Sequence, residues 1–142
     1  MRIAIRVALA AVMIGAAVAA AGCWNRGGQE DDVEKVEMPK GFPSEVPVYD
    51  PATLVTAEAV ELAGGGQSYL VVMSTSDVPS DVFTWYEQEL ESGGWASRSE
   101  TAIRQGGTLD VEKDKSILSV NVAGGGAAGS STRITLSVGP ST

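Results

Sequence analysis

The spacing of hydrophobic and polar positions changes character several times along the chain. Residues 7–22 are apolar or small and carry no charge, whereas residues 24–41 are polar and acidic with few apolar positions. From residue 42 onward, apolar positions recur at strand and helix periods. Residues 53–62 alternate, with Leu54, Val60 and Leu62 on one parity and Glu61 on the other, which predicts a strand. Gly64-Gly65-Gly66 marks a turn. Within residues 67–75, Tyr69-Leu70-Val71-Val72-Met73 is a continuous apolar run, the pattern of a strand buried on both faces. The two segments read as a hairpin.

Residues 79–92 carry the helix. Pro79 suits the first turn, where its fixed φ and missing N–H cost nothing. Asp77, Ser80 and Asp81 suit the positive end of the helix dipole. Val82, Tyr86 and Leu90 fall at i, i+4 and i+8, and Phe83 and Trp85 broaden the apolar stripe. Gly93-Gly94 ends the helix, with Gly93 as the expected left-handed cap. One feature runs against these signals. Glu87, Glu89 and Glu91 crowd the C-terminal half, where the dipole favours cations.

Strand patterns resume after the helix, over residues 95–104, 108–113, 116–123 and 132–138. In the last two, Leu118, Val120 and Val122 alternate with Ser119 and Asn121, and Ile134, Leu136 and Val138 alternate with Arg133, Thr135 and Ser137. The expected fold is α+β: one helix packed on a mainly antiparallel sheet, in the order β-β-α-β-β-β-β. The link through the helix is long enough for a crossover, which would allow one parallel pair. Residues 42–51, with Pro43, Pro47 and Pro51, should be extended and irregular, with Val46, Val48 or Tyr49 reaching the core.

The organisation is therefore an N-terminal signal (1–22), a cysteine followed by a flexible acidic tether (23–41), and one small domain (42–142). Arg2 and Arg6 precede the uncharged stretch, as in a secretory signal. Ala20-Ala21-Gly22-Cys23 resembles the lipobox of bacterial lipoproteins. That resemblance implies cleavage between Gly22 and Cys23, lipid on the Cys23 sulfur, and acylation of the new N-terminus. Two or more acyl chains hold a protein stably on a membrane, where one does not. Trp24 is not the Asp that retains such proteins at the inner membrane, so an outer membrane is implied where the source has one. Two other readings fit the same residues. Ala19-Ala20-Ala21 is an A-x-A site for ordinary signal peptidase, and the uncharged residues 7–25 have about the length of a membrane span. Against a permanent span stands the alanine-rich composition of that stretch.

Two further segments carry a resemblance. Phe42-Pro43-Ser44-Glu45-Val46-Pro47-Val48-Tyr49 resembles an FPxxVPVY opening. The run from Val82 through Tyr86, Leu90 and Gly94 to Trp95 resembles a V-x3-Y-x3-L-x3-GW helix and turn. Both are similar to a broad group of small bacterial lipoproteins and secreted domains. The resemblance implies the fold and an envelope location, and brings no catalytic residue with it.

Composition narrows the chemistry. The 142 residues include no histidine and one cysteine, and the formal net charge is −8. A histidine-based triad, a Cys-His pair, an intramolecular disulfide and a Cys₂ metal site are all excluded. The acidity argues against nucleic acid as a partner. No cofactor is expected. Gly124-Gly125-Gly126-Ala127-Ala128-Gly129 matches G-x-G-x-x-G literally, but a strand pattern follows instead of the required helix. Asp110 and Glu112 lie two apart on one strand face and read as solvated carboxylates. The residues left for a ligand or partner surface are Trp85 and Trp95 around the helix end, and Asp110, Glu112, Asn121 and Arg133 on the polar sheet face. The sequence thus points to a lipid-anchored cell-envelope protein with a non-catalytic binding or accessory domain. It would contact the membrane through Cys23 and, by its domain, an envelope protein or small ligand. The alternative is a small-ligand carrier using a cleft near the helix end, and a hydrolase has the least support among the residues.

Overall fold

A computed structural model describes residues 35–125 and 130–141. The signal, Cys23 and most of the tether lie outside these residues, as does the Gly-rich run at 126–129. The elements are β1 (Thr53–Glu61), β2 (Gln67–Thr75), α1 (Pro79–Ser92), β3 (Ala96–Ile103), β4 (Gly106–Lys113), β5 (Ser116–Gly124) and β6 (Thr132–Pro140). The six strands form one sheet in the order β1-β2-β6-β5-β4-β3. Every pairing is antiparallel. The expected α+β architecture is present, and the parallel pair that the helix link would have allowed is not made. After β2 the chain passes through α1 to the far edge at β3. It then meanders back until β6 pairs with β2.

One sheet face is apolar. Val71 and Met73 of β2, Leu109 and Val111 of β4, Leu118, Val120 and Val122 of β5, and Ile134, Leu136 and Val138 of β6 are all buried on it. Helix α1 adds Val82, Phe83, Tyr86 and Leu90. A 14-residue helix is about 21 Å long and 10 Å thick, and six strands span about 24 Å. One helix therefore covers only part of the face, and α1 lies over β3, β4 and β5. The Pro-rich segment adds cover of its own. Val46 is buried, Phe42 stacks edge-on against Tyr69 with ring centroids 5.7 Å apart, and Tyr49 packs on the core. Val48 points outward, at 39% exposed.

Three sequence expectations need correction. The pairing of β1 with β2 shifts register between Leu54 and Thr56. This bulge switches the parity of the strand. Leu54 pairs with Met73 on the core side, while Val60 pairs with Ser68 on the open side and is 51% exposed. Leu54, Val60 and Leu62 thus do not share a face. Strand β2 is buried on one face, not two, because the helix layer covers only one side of the sheet and Leu70 is 38% exposed on the other. The left-handed glycine after α1 is Gly94 (φ 77°), not Gly93 (φ −75°). Gly93 N–H bonds back to Glu89 O, and Trp95 N–H to Leu90 O, so the helix runs one residue further before it reverses.

Close approach at one position requires glycine. A Cβ on Gly107 would run into the Thr101 carbonyl oxygen and lie 2.6 Å from Phe83 Cε2. The missing side chain lets the Phe83 ring rest on the β4 backbone.

Two stability changes follow. Leu136 is fully buried, so Leu136→Ala should cost about 2–5 kcal/mol in a denaturant titration. At the helix start, Val78 occupies the N-cap with no side-chain hydrogen bond and is 57% exposed. Val78→Ser supplies the missing acceptor and should raise stability by about 0.5–1 kcal/mol in the same titration.

Candidate functional site

Two concavities of the described surface adjoin α1. The larger, about 740 Å³, lies at the start of α1 and is lined by Ser74, Thr75, Asp77 and Thr132 among others. Its polar groups are committed to one another. Asp77 Oδ2 accepts from the Tyr49 hydroxyl at 2.8 Å and from Thr75 Oγ1 at 3.1 Å, and Thr132 Oγ1 donates to the Asp77 carbonyl at 2.6 Å. The Tyr49 phenol titrates above its ordinary value because of its hydrogen bond to Asp77, with burial and the charges of Asp77 and Asp81 adding to the effect. Burial holds the Tyr86 phenol well above its ordinary value, against the lowering effect of the hydrogen bond it accepts from Tyr49 N–H at 3.3 Å. This network ties the Pro-rich segment and the helix start to the sheet.

The smaller of the two, about 400 Å³, is the better candidate, because its floor is apolar. It runs between the C-terminal half of α1 and the end of the sheet at β3 and β4. Leu90, Trp95, Leu109 and Val111 form the floor, all of them largely buried. Glu87 and Glu91 from α1, and Ser97 and Glu100 from β3, form the rim. The Trp95 indole is held in place. Its Nε1 donates to the Glu45 carbonyl at 3.4 Å, and Lys113 Nζ lies 6.0 Å from the ring centroid. Burial raises the pKa of Glu87, and the charge of Glu100 and a hydrogen bond to it raise it further. The two carboxyl groups share the mouth of the groove. Among the described residues no group of three or more Asp, Glu, Cys or His could hold a metal ion.

The residues singled out from the sequence fall in two places. Asp110, Glu112, Asn121 and Arg133 all face the open side of the sheet. Asp110 pairs across to Ser119, Asn121 Nδ2 donates to Thr108 Oγ1 at 2.9 Å, and Glu112 forms an ion pair with Arg98 at 3.2 Å. The two tryptophans are separated. Trp95 lines the groove, whereas Trp85 packs edge-on against Tyr49 (centroids 5.0 Å) and Tyr86 (4.9 Å). The expected cleft near the helix end exists, but Trp85 is not part of it, because its position one step off the Tyr86 line turns it towards the Pro-rich segment.

The glutamates of the rim were not recognised as site residues from sequence. A signal was present: Glu87 and Glu91 lie at i and i+4, beside Leu90, at the helix end whose dipole disfavours them. Glu100 gave none, since only the tertiary fold brings β3 beside α1.

A helix over one face of an antiparallel sheet, with a groove at the helix end, defines an α+β domain. The START domain-like family model matches residues 55–132. The match covers more than half of the chain, and the chain belongs to that family. It takes in most of β1 through to the first residue of β6, and so contains every residue lining the groove. No curated protein and no solved structure gives a significant match to the chain.

The Glu87 shift has a consequence for stability. Its pKa is raised in the folded state, so its stabilising contribution is complete below the unfolded carboxyl value and is lost as pH rises through the folded value. Glu87→Gln keeps the shape and removes the charge. The variant should unfold at higher denaturant than the parent at pH 7, and the gap should close towards pH 4. An equal gap at both values would show that Glu87 carries no such strain.

Proposed function

We propose that the protein is a lipid-anchored bacterial envelope protein, of the small lipoprotein kind its motifs resemble, whose START-like domain holds a small ligand in the groove beside α1. The observation that carries this reading is the groove itself. Four buried side chains of the core, each 2–6% exposed, form the floor of a concavity of about 400 Å³, within the usual range of ligand sites. All of its lining residues lie inside the family match. The domain acts by binding, without turnover, which is in keeping with a chain that has no histidine to activate a nucleophile. The address rests on the lipobox resemblance at Gly22 and Cys23; the C-terminal end of the expected tether belongs to the domain, since Met38 packs on the core, so residues 24–34 would let the domain reach about 18 Å from the membrane. A second reading, an accessory domain docked to an envelope protein, is favoured by Asp110, Glu112, Asn121 and Arg133 sharing the open sheet face.

Two measurements test the proposal. With Trp24 and Trp85 changed to Phe, Trp95 alone reports on the groove. Its emission should shift on addition of the right metabolite from a panel, and Ser97→Phe, which fills the mouth without adding a second tryptophan, should weaken that binding by at least about tenfold, on the order of 1.4 kcal/mol. A flat response across the panel removes the carrier reading. For the address, Cys23→Ala should move the protein from the membrane to the soluble fraction on cell fractionation, and continued membrane retention would contradict the lipid anchor.

A further inference from the structure

The apolar groove beside α1 selects its occupant by charge as well as by shape. Every ionisable side chain that lines it is a glutamate: Glu87 and Glu91 from the helix, Glu100 from β3. No basic side chain lines it. Of the nearby cations, Arg98 is paired with Glu112 at 3.2 Å, and Lys113 lies over the Trp95 ring at 6.0 Å.

This arrangement is unfavourable for folding on two counts. Glu87 and Glu100 meet at the mouth of the groove, and like charges so placed repel. Glu87 and Glu91 also sit in the half of α1 where the dipole disfavours anions, and the last turn contains no basic residue. Local sequence rules tend to be broken where function needs them broken. The site gains from these carboxylates only when a positive charge lies between them. An inorganic cation would leave the floor of Leu90, Trp95, Leu109 and Val111 unused, and an anion would be repelled by the whole rim.

We propose that the groove binds a small organic cation, a protonated amine carried on an apolar body, with the ammonium between Glu87 and Glu100 and the body on Leu90, Trp95, Leu109 and Val111. The ammonium donates hydrogen bonds to the two carboxylates, which are stronger than bonds between neutral groups. The apolar body removes the exposed part of the floor from water. This assignment rests on the groove being the ligand site, and it adds the class of ligand.

Three probes with one body and different heads separate the two claims: 4-phenylbutylamine, 4-phenylbutanol and 4-phenylbutyrate, titrated calorimetrically into the full-length protein at pH 7. The amine should bind about tenfold tighter than the alcohol, a difference of about 1.4 kcal/mol. The acid should bind more weakly than either. In the Glu87→Gln, Glu100→Gln double variant the amine should fall to within about threefold of the alcohol, less than half a decade, because the amine loses more affinity than the alcohol. Single Glu87→Gln, which should be more stable than the parent at this pH, guards against loss of folding and should remove part of the preference. If alcohol and amine bind equally, or the preference survives the double substitution, the groove binds ligands but not by this charge selection, and the inference is overturned while the carrier reading stands. If none of the three binds and the metabolite panel leaves the Trp95 emission flat, both fail.

Discussion

The structure depends on covering one apolar sheet face with too little helix. Six strands present a continuous set of buried Val, Leu, Ile and Met side chains, and the described residues hold one 14-residue helix to lay over them. Apolar surface left in water costs roughly 25 cal/mol per Å², so what the helix leaves bare must be covered by other means. The Pro-rich segment of residues 42–51 does this. Proline fixes its backbone, so its ordering costs less entropy than that of a freely rotating loop. Val46 enters the core, Phe42 meets Tyr69, and Tyr49 joins the helix start through Tyr86 and Asp77. The polar groups buried in the process find partners, and no buried side-chain nitrogen or oxygen is left without one among the described residues.

The same shortage explains where the groove lies. At the C-terminal end of the helix the chain reverses at Gly94, and β3 returns as a fully exposed edge strand. Leu90, Trp95, Leu109 and Val111 are the last core residues before this edge, so the core opens to the surface between α1 and β3. The glutamates around the opening set its electrostatic character. At the other end of the helix the opposite holds. Asp77, Thr75, Thr132 and Tyr49 satisfy one another, and the wider depression there serves to lock the segment to the fold.

Much of the architecture was legible along the chain, and its failures have local causes. Strands and helix were readable because a period of two or of 3.6 survives in side chains that face one core. The pattern misled in β1, where a bulge after Leu54 reverses parity and sends Val60 outward. It misled in β2, where Leu70 and Val72 suggested a second covered face that no layer supplies. At the helix end, either of two adjacent glycines could take the left-handed turn, and the position of Trp95 over the core placed it at Gly94. For the site, Trp95 was legible as an aromatic at the end of the helix. Glu87 and Glu91 were visible only as an anomaly in the dipole, and Glu100 not at all, since it lies 13 positions from Glu87 on a different element.

The sequence by itself determined the element order, the α+β class and the residues that form the core face, because these follow from short-range periodicity and from steric limits at Gly and Pro. It also determined which chemistries are closed to the chain, since no fold can supply a histidine or a second cysteine. Only the tertiary structure decided that all pairings are antiparallel, that Val46 and Tyr49 but not Val48 carry the Pro-rich segment into the core layer, and that three glutamates from two elements line one apolar groove. Those outcomes depend on which strands become neighbours and on how far a short helix reaches, and neither is written in any local stretch of residues.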